Sequence, residues 1–297
     1  MSERVPTQVE GHRLVLSNLD KVLWPRTGTT KAEALSFLAQ VAPVMLPHVR
    51  RRPASFLRFP DGVEGERFYA KNPPPGLPDW VPTVEVPGRQ GARSHVSVDS
   101  LAVLMAMANL GALEVHVPQW TAETGPELHD RLVVDLDPGE GADLLDCCRA
   151  ALWTRDAMAE DGLTCWVKTS GSKGLHLLAP LRPTCEEAVL AYARALARRL
   201  QADHPEMMVS SIAKAERHGR VLLDAGQNSS AKTTAAPYTL RALPVPGVST
   251  PLTWDEVASC GSAGQLAFSP AQVLERVTAQ GDLMAGLNDP AGAARLP

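Results

Sequence analysis

Two aspartates two residues apart close an apolar run, Leu132-Val133-Val134-Asp135-Leu136-Asp137, and a Pro138-Gly139 turn follows. In a strand, residues i and i+2 share a face. Asp135 and Asp137 therefore point one way, and Val134 and Leu136 point the other. Adjacent carboxylates repel unless a cation lies between them. Hard divalent cations take oxygen ligands, and a pair of such ions can stabilise an in-line phosphoryl displacement. The same segment also reads as a strand entering an Asp-Pro-Gly turn with solvated acids, so the rest of the chain decides between the two.

The second chemical feature is Thr169-Ser170-Gly171-Ser172-Lys173-Gly174-Leu175-His176. Small hydroxyls, two glycines and a lysine make a backbone nest with a cationic tip, suited to phosphate oxygens. The spacing is not that of a Walker A loop, and a strand follows instead of a helix. An ordinary hairpin has the same composition. Ser170-x-x-Lys173 also matches the S-x-x-K of serine penicillin-binding enzymes. That motif should open a helix, and its Ser-Asp-Asn companion is absent. Beside the Asp-x-Asp strand, a triphosphate cradle is the better reading.

Other candidates are more local. His116 alternates with Val115 and Val117, so it faces away from them; it fits a hydrogen-bonded histidine at a strand end or a group in a site. Arg217 and Arg241 flank the strand ending at Asp224, as surface arginines or as counter-charges for phosphates. Phe68-Tyr69 beside Lys71 reads as core plus rim, or as a stacking platform if the partner is a nucleic acid.

The elements that must position these groups follow a recognisable order. Leu132–Asp137 is a strand, 143–161 a helix, 164–170 a strand, 175–180 a strand, 186–202 a helix and 220–224 a strand. This β-α-β-β-α-β order is the ferredoxin-like (RRM-like) split βαβ arrangement. Both helices should cover one sheet face and leave the other free. First and last strands are antiparallel neighbours in this topology, so Asp224 can lie beside Asp135 and Asp137, subject to register. In the first half, the capping box Thr30-Lys31-Ala32-Glu33 opens a helix to about Val41, which Pro43 and Pro47 should break. Segments 54–59 and 67–71 look like a strand pair, Ser100 caps a helix through Leu110, and 113–118 is a strand. From Pro244 onward a loosely structured tail carries one helix, 270–280. One domain is expected, with an N-terminal α/β part (about 11–125), a catalytic part (about 130–245) and a tail (about 246–297).

Composition sets the outer bounds. Residues 1–60 carry nine Lys or Arg against four Asp or Glu, a net +5, in a chain whose total is −4. The net charge of −4 argues against a general nucleic-acid coat protein, while a basic end on an acidic chain fits an anionic partner held locally, or a solvated basic face. None of the five cysteines forms a C-x-x-C pair, which removes a zinc ribbon or thioredoxin-like motif and fits a reducing cytosol. The N-terminus has no apolar signal core. The longest apolar run, 101–113, is short of the ~20 residues a bilayer requires.

Taken in order, several stretches resemble one family: Asn18-Leu19-Asp20-Lys21, Thr27-Gly28-Thr29-Thr30-Lys31, Glu114-Val115-His116-Val117-Pro118-Gln119-Trp120, Asp135-Leu136-Asp137-Pro138-Gly139-Glu140-Gly141, Ser170 to His176, and Gln227-Asn228-Ser229 through Lys232-Thr233-Thr234. From about residue 11 to 275 the chain is similar to the polymerase domain of bacterial ligase D, in the archaeo-eukaryotic primase superfamily. The resemblance implies an α+β primase fold and a primer-extending, gap-filling nucleotidyltransferase of non-homologous end joining. That enzyme favours ribonucleotides over dNTPs and uses two Mn²⁺ (or Mg²⁺) ions. It implies that Asp135, Asp137 and Asp224 hold the metals. Ser170, Gly171, Ser172, Lys173, His176, Gln227 and Arg241 would hold the incoming NTP, with His116 and Arg217 near its sugar and the catalytic centre. Asn18, Lys21 and Lys31 would bind the 5′-phosphate across a gap, and Phe68, Tyr69 and Lys71 would meet the DNA.

The implied setting is the bacterial cytoplasm at the nucleoid, with gapped or broken DNA, a Ku-like protein and a DNA ligase as partners and no membrane. Two departures stand out. The family often carries an aromatic residue after the third aspartate, where this chain has Ala225-Gly226. No Lys-x-Asp-Gly ligase signature occurs, so the chain reads as a free-standing polymerase or a domain of a longer protein. The competing readings are a non-catalytic DNA-end binding module and a two-metal nuclease.

Overall fold

The computed structural model describes residues 4–88 and 91–297. They form two compact units. The first takes the chain up to Val117 and returns for Tyr238–Val248 and Ser269–Gly281. The second comprises Pro118–Pro237, Ser249–Phe268 and Asp282–Pro297.

The first unit opens with a hairpin, β1 (Arg4–Val9) and β2 (His12–Ser17). Its two-residue turn, Glu10-Gly11, has positive φ at both positions, the geometry that matches strand twist. This hairpin was not read from the sequence, although its turn residues were the available signal. Helix α1 (Lys31–Val49) starts at the expected capping box: the Thr30 hydroxyl accepts from the Glu33 N–H, and the Thr30 N–H donates to the Glu33 carboxylate.

The expected break at Pro43 and Pro47 does not occur, and the helix continues to Val49. The two prolines are four residues apart on the exposed face, while Val41, Met45, Leu46 and Val49 pack inside. Carbonyls deprived of their N–H partners there can face water, which lowers the cost of an interior proline. By length and hydropathy α1 could cross a membrane; its apolar face is part of the first unit's core.

Four further strands follow α1: β3 (Pro53–Arg58), β4 (Phe68–Ala70), β5 (Thr83–Val86) and β6 (Arg93–Ser97). Then come α2 (Leu101–Asn109), capped by Ser100, and β7 (Ala112–Val117). The antiparallel pair β3–β4 is the one expected, and β3 also pairs β7, setting Ser55 opposite His116.

The second unit contains the β-α-β-β-α-β core. Its elements are β8 (Leu128–Pro138), α3 (Leu144–Glu160), β9 (Trp166–Thr169), β10 (Leu175–Cys185), α4 (Glu186–Asp203), β11 (Met208–Val209) and β12 (Val221–Asp224). The tail then adds β13 (Pro251–Leu252) and α5 (Trp254–Ala258). The sheet order is β11-β12-β8-β10-β9-β13, so the four core strands stand in the ferredoxin-like sequence. Leu132, Val134, Leu136, Leu175, Leu177, Val221 and Leu223 face one side, against Cys147, Ala151 and Met158 of α3 and Val189, Ala193 and Leu196 of α4. Both helices thus cover one face, as expected.

The opposite face is not left wholly free. Met284 and Leu287 pack on Val133, Leu178 and Trp166, covering the part of it away from the aspartates. Nor is the tail loose. The segment at β13 zips onto β9, with the Thr169 N–H donating to the Thr250 carbonyl and the Thr250 N–H to the Thr169 hydroxyl. Helix 270–280 is present, with Ser269 as its cap.

Candidate active site

Strand alternation sorts the second unit's polar side chains. On the sheet face opposite α3 and α4, β8 carries Asp135 and Asp137, β12 carries Asp224, β10 carries His176 and β9 carries Lys168. Residues 135 and 224 are direct partners across the antiparallel β8–β12 pair, and 135 and 176 are partners across β8–β10. Partners on neighbouring strands have Cβ atoms about 4.5–5.5 Å apart, so the three carboxylates form a contiguous acidic edge. That like charges are gathered here at the end of a buried strand is the observation that calls for a cation.

Each carboxylate has a local partner. An Arg217 Nη2–H donates to Asp137 Oδ2 at 2.5 Å. The Gly226 N–H donates to Asp224 Oδ1 at 2.9 Å, and Gln227 Nε2 donates to Oδ2 at 3.1 Å. His176 Nε2 lies 3.4 Å from Asp135 Oδ1. Ala225-Gly226, the departure noted above, thus supports the third aspartate through a backbone amide. Among the described residues no group of three or more His, Cys, Asp or Glu side chains is closed around a single point, and Arg217 and the 225–228 turn engage two of the carboxylates. The donor set, three carboxylates on one face, is all hard oxygen and fits divalent magnesium- or manganese-like ions.

Two glycines allow the surrounding loops to close in. A Cβ on Gly139 would overlap the Arg217 carbonyl oxygen, and one on Gly174 would overlap that of Leu136. Gly174 thereby brings the 170–174 turn against the aspartate strand. Within that turn the Ser170 N–H donates to the Gly174 carbonyl, and Ser170 Oγ accepts from the amides of Ser172 and Gly174. Gly171 takes φ of 73° at its tip. Ser172 and Lys173 are exposed, leaving the lysine ammonium available to an anion. The second unit thus brings together Asp135, Asp137, Asp224, Ser170, Gly171, Ser172, Lys173, His176, Arg217 and Gln227. Gln227 is engaged with Asp224.

Two groups not singled out from the sequence support these. Lys168 is completely buried and reaches His176. Asn228, also buried, uses Oδ1 to accept the Val133 N–H at 2.9 Å and Nδ2 to donate to the Val133 carbonyl at 2.7 Å. It takes the place of a strand where β12 pairing stops. The lone lysine in Trp166-Val167-Lys168-Thr169 was a usable signal; nothing local marked Asn228.

His116 and Arg241 belong to the first unit. There Glu114, buried on β7, accepts from the Ala242 N–H at 2.9 Å and lies 2.9 Å from His116 Nε2 and 3.2 Å from Arg241 Nε. Burial by itself pushes the Glu114 carboxyl up. The hydrogen bond with His116, the Arg241 charge and the Ala242 amide outweigh it and hold the carboxyl below its ordinary range. The Glu114-x-His116 alternation was legible, but the carboxylate's role was not.

Asn18 and the basic residues Lys21 and Lys31 gather at the start of α1. Lys31 N–H donates to the Lys21 carbonyl and Ala32 N–H to that of Leu19, and Asn18 takes φ of 54°. Lys21 Nζ donates to the Pro60 carbonyl and to Asp61. Lys31 Nζ donates to Ser17 O, Asn109 O and Asn109 Oδ1. Burial first, and then the neighbouring Lys21 charge, bring its pKa down to about 8. Two cations that repel each other are relieved by an anion. On β4, Phe68 and Tyr69 are exposed large hydrophobics, and Lys71 Nζ lies 5.9 Å from the Tyr69 ring centroid.

This architecture matches known proteins. Residues 30–284 match the family model described as LigD, primase-polymerase domain. The chain is 40% identical over 290 residues to the multifunctional non-homologous end joining protein LigD of Mycobacterium bovis, covering 95% of this chain and 38% of that protein. It is 29% identical over 271 residues to the bifunctional LigD of Bacillus subtilis, covering 91% and 43%. The chain therefore spans well under half the length of these relatives. The solved polymerase domain of Mycobacterium tuberculosis ligase D in complex with DNA superposes with a TM-score of 0.88 at 40% identity, covering 93% of this chain and 98% of that one. With its ferredoxin-like catalytic sheet and acidic edge, the chain has the α+β fold of archaeo-eukaryotic primases and belongs to the LigD primase-polymerase family of nucleotidyltransferases.

Proposed function

We propose that this chain extends primers and fills short gaps at 5′-phosphorylated DNA ends during break repair, using two Mn²⁺ (or Mg²⁺) ions and ribonucleotides in preference to deoxyribonucleotides. The observation that carries this reading is the pairing of Asp135 with Asp224, with Asp137 on the same face and the 170–174 turn against the same strand. Two divalent ions held by these carboxylates would activate the primer 3′-hydroxyl and stabilise the leaving pyrophosphate.

The chain's own residues do the rest. The Lys173 ammonium and the 171–174 backbone hold the triphosphate, and Arg241 is proposed as a further cation for NTP. Arg217 braces Asp137 and, with His116, serves the nucleotide sugar and catalytic centre. Lys21 and Lys31 hold the downstream 5′-phosphate, with Asn18 shaping their turn, and Phe68 and Tyr69 stack on DNA. A Ku-like protein and a DNA ligase are the partners proposed for it in end joining, in a bacterial cytoplasm at the nucleoid. The solved relative with DNA supports a nucleic-acid substrate.

The test is extension of a labelled primer across a short gap with a downstream 5′-phosphate, in Mn²⁺ with NTPs or dNTPs, beside Asp135→Ala/Asp137→Ala. Templated addition that favours NTPs and vanishes in the variant is expected. Tight DNA binding without addition would replace this reading by an end-binding module, and shortening of the strand by a nuclease.

A further inference from the structure

We infer that Lys168 is a positioning residue of the nucleotide site: from inside the sheet it fixes the tautomer of His176, so that the Nε2–H of the imidazole is presented at the aspartate edge. This rests on the proposal that the site binds NTP.

The geometry is that of a buried relay. Lys168 is 0% exposed and His176 6%. Lys168 Nζ lies 3.0 Å from His176 Nδ1 and donates to Ser249 Oγ at 2.6 Å and to the Thr169 carbonyl at 3.4 Å. The Ser249 hydroxyl in turn donates to the Thr169 carbonyl at 2.7 Å, so its oxygen is the acceptor toward the lysine. An ammonium has donors only. With Lys168 as an ammonium, its three N–H donors meet Ser249 Oγ, the Thr169 carbonyl and Nδ1, which assigns Nδ1 as the accepting nitrogen and puts the ring hydrogen on Nε2. That nitrogen lies 3.4 Å from Asp135 Oδ1.

A ring nitrogen's hydrogen-bond partner sets which of the two nitrogens is protonated. Lys168 thus supplies a constraint that Asp135 alone does not, since a free imidazole could offer Asp135 either nitrogen after a ring flip. The consequence is a fixed N–H donor beside the carboxylates and the 170–174 turn, suited to a triphosphate oxygen. Fixing the tautomer in advance saves the incoming nucleotide from selecting it, and the benefit appears as affinity for NTP. Ser249 completes the device from the tail segment, 81 residues away in sequence.

The experiment combines nitrogen NMR and kinetics on the full chain. With ¹⁵N-labelled histidine, and the signal assigned by its loss in His176→Gln, the wild type should show an unprotonated Nδ1 and a protonated Nε2. In Lys168→Met that signature should be lost or averaged. KM for NTP should rise about tenfold while kcat stays within about threefold, the pattern of lost ground-state binding. Ser249→Ala, a milder change that keeps the lysine, should move both readouts the same way by less, and it serves if Lys168→Met does not fold. Lys168→Arg should restore part of the tautomer signature.

A protonated Nδ1 in the wild type overturns the inference. So does an unchanged tautomer and KM in folded Lys168→Met, and so does loss of thermal stability with neither readout moving. If the wild type fails to add nucleotides, the polymerase proposal falls separately, and the tautomer measurement still judges the relay.

Discussion

Replacing Asn228 by Ala removes a side chain that acts as a strand. In the folded chain its amide satisfies both the N–H and the carbonyl of Val133, at 2.9 and 2.7 Å, and also donates to the Ala225 carbonyl at 3.2 Å. Val133 and Asn228 are each 0% exposed, so water does not readily replace the lost partners. A buried backbone group left without a hydrogen bond costs about 1–3 kcal/mol. Two such groups put the loss at about 4 kcal/mol, a large part of the 5–15 kcal/mol typical of a folded protein. The Ala225 carbonyl, nearer the surface, adds little.

Asn228→Asp should be no milder. It keeps an acceptor for the Val133 N–H, but its second oxygen faces the Val133 carbonyl and brings a buried charge. Urea unfolding of wild type and both variants, with hydrogen exchange at the Val133 amide, measures the effect. The exchange protection of Val133 should fall in parallel with stability. Because Val133 lies two residues from Asp135 on the same strand face, primer extension should fall too. A loss below about 1 kcal/mol in Asn228→Ala, with Val133 still protected, would refute the assignment of Asn228 as the end of the β8 ladder.

Three further outcomes follow from the geometry. Glu114→Gln should cost about 2–3 kcal/mol at neutral pH, because Arg241 and His116 lose a buried counter-charge. The Glu114 carboxyl is held below its ordinary range, so its contribution is fully present above the unfolded value near 4.5 and is lost as pH falls through the lower folded value. The gap between wild type and variant in urea unfolding should therefore close toward acid pH, and a constant gap refutes this. Lys31, with its pKa near 8, is charged below that value and neutral above it. The ratio of Kd for 5′-hydroxyl over 5′-phosphate gaps should therefore fall between pH 7 and 9.5. A bound phosphate shifts the midpoint upward, and Lys31→Ala should leave a smaller, flatter ratio. Gly174→Ala forces the turn off the Leu136 carbonyl, at about 1–3 kcal/mol, and should raise KM for NTP more than it changes DNA affinity.

What the sequence determined by itself was local. A period of two placed Asp135 and Asp137 on one face before any partner was known. Helix period and side-chain caps located α2, α3 and α4, with Ser100 and Thr30 at the starts expected of them. The β-α-β-β-α-β order of elements led to the ferredoxin-like sheet. Six motifs in series carried the family.

Tertiary structure decided what depends on distant partners. Whether Asp224 meets Asp135 is a matter of register, and a slip of one residue would have turned it toward the helices. Pro43 and Pro47 look like breakers in isolation, and α1 runs through them because its other face is buried while the prolines face solvent. Ser249 and Thr250 read as part of a loose tail until β9 offered them an edge. Lys168 meets Ser249 across 81 residues, and Asn228 meets Val133 across 95. A buried polar group must find its partner wherever the fold supplies one, and no local pattern in a single sequence states which distant residue that is.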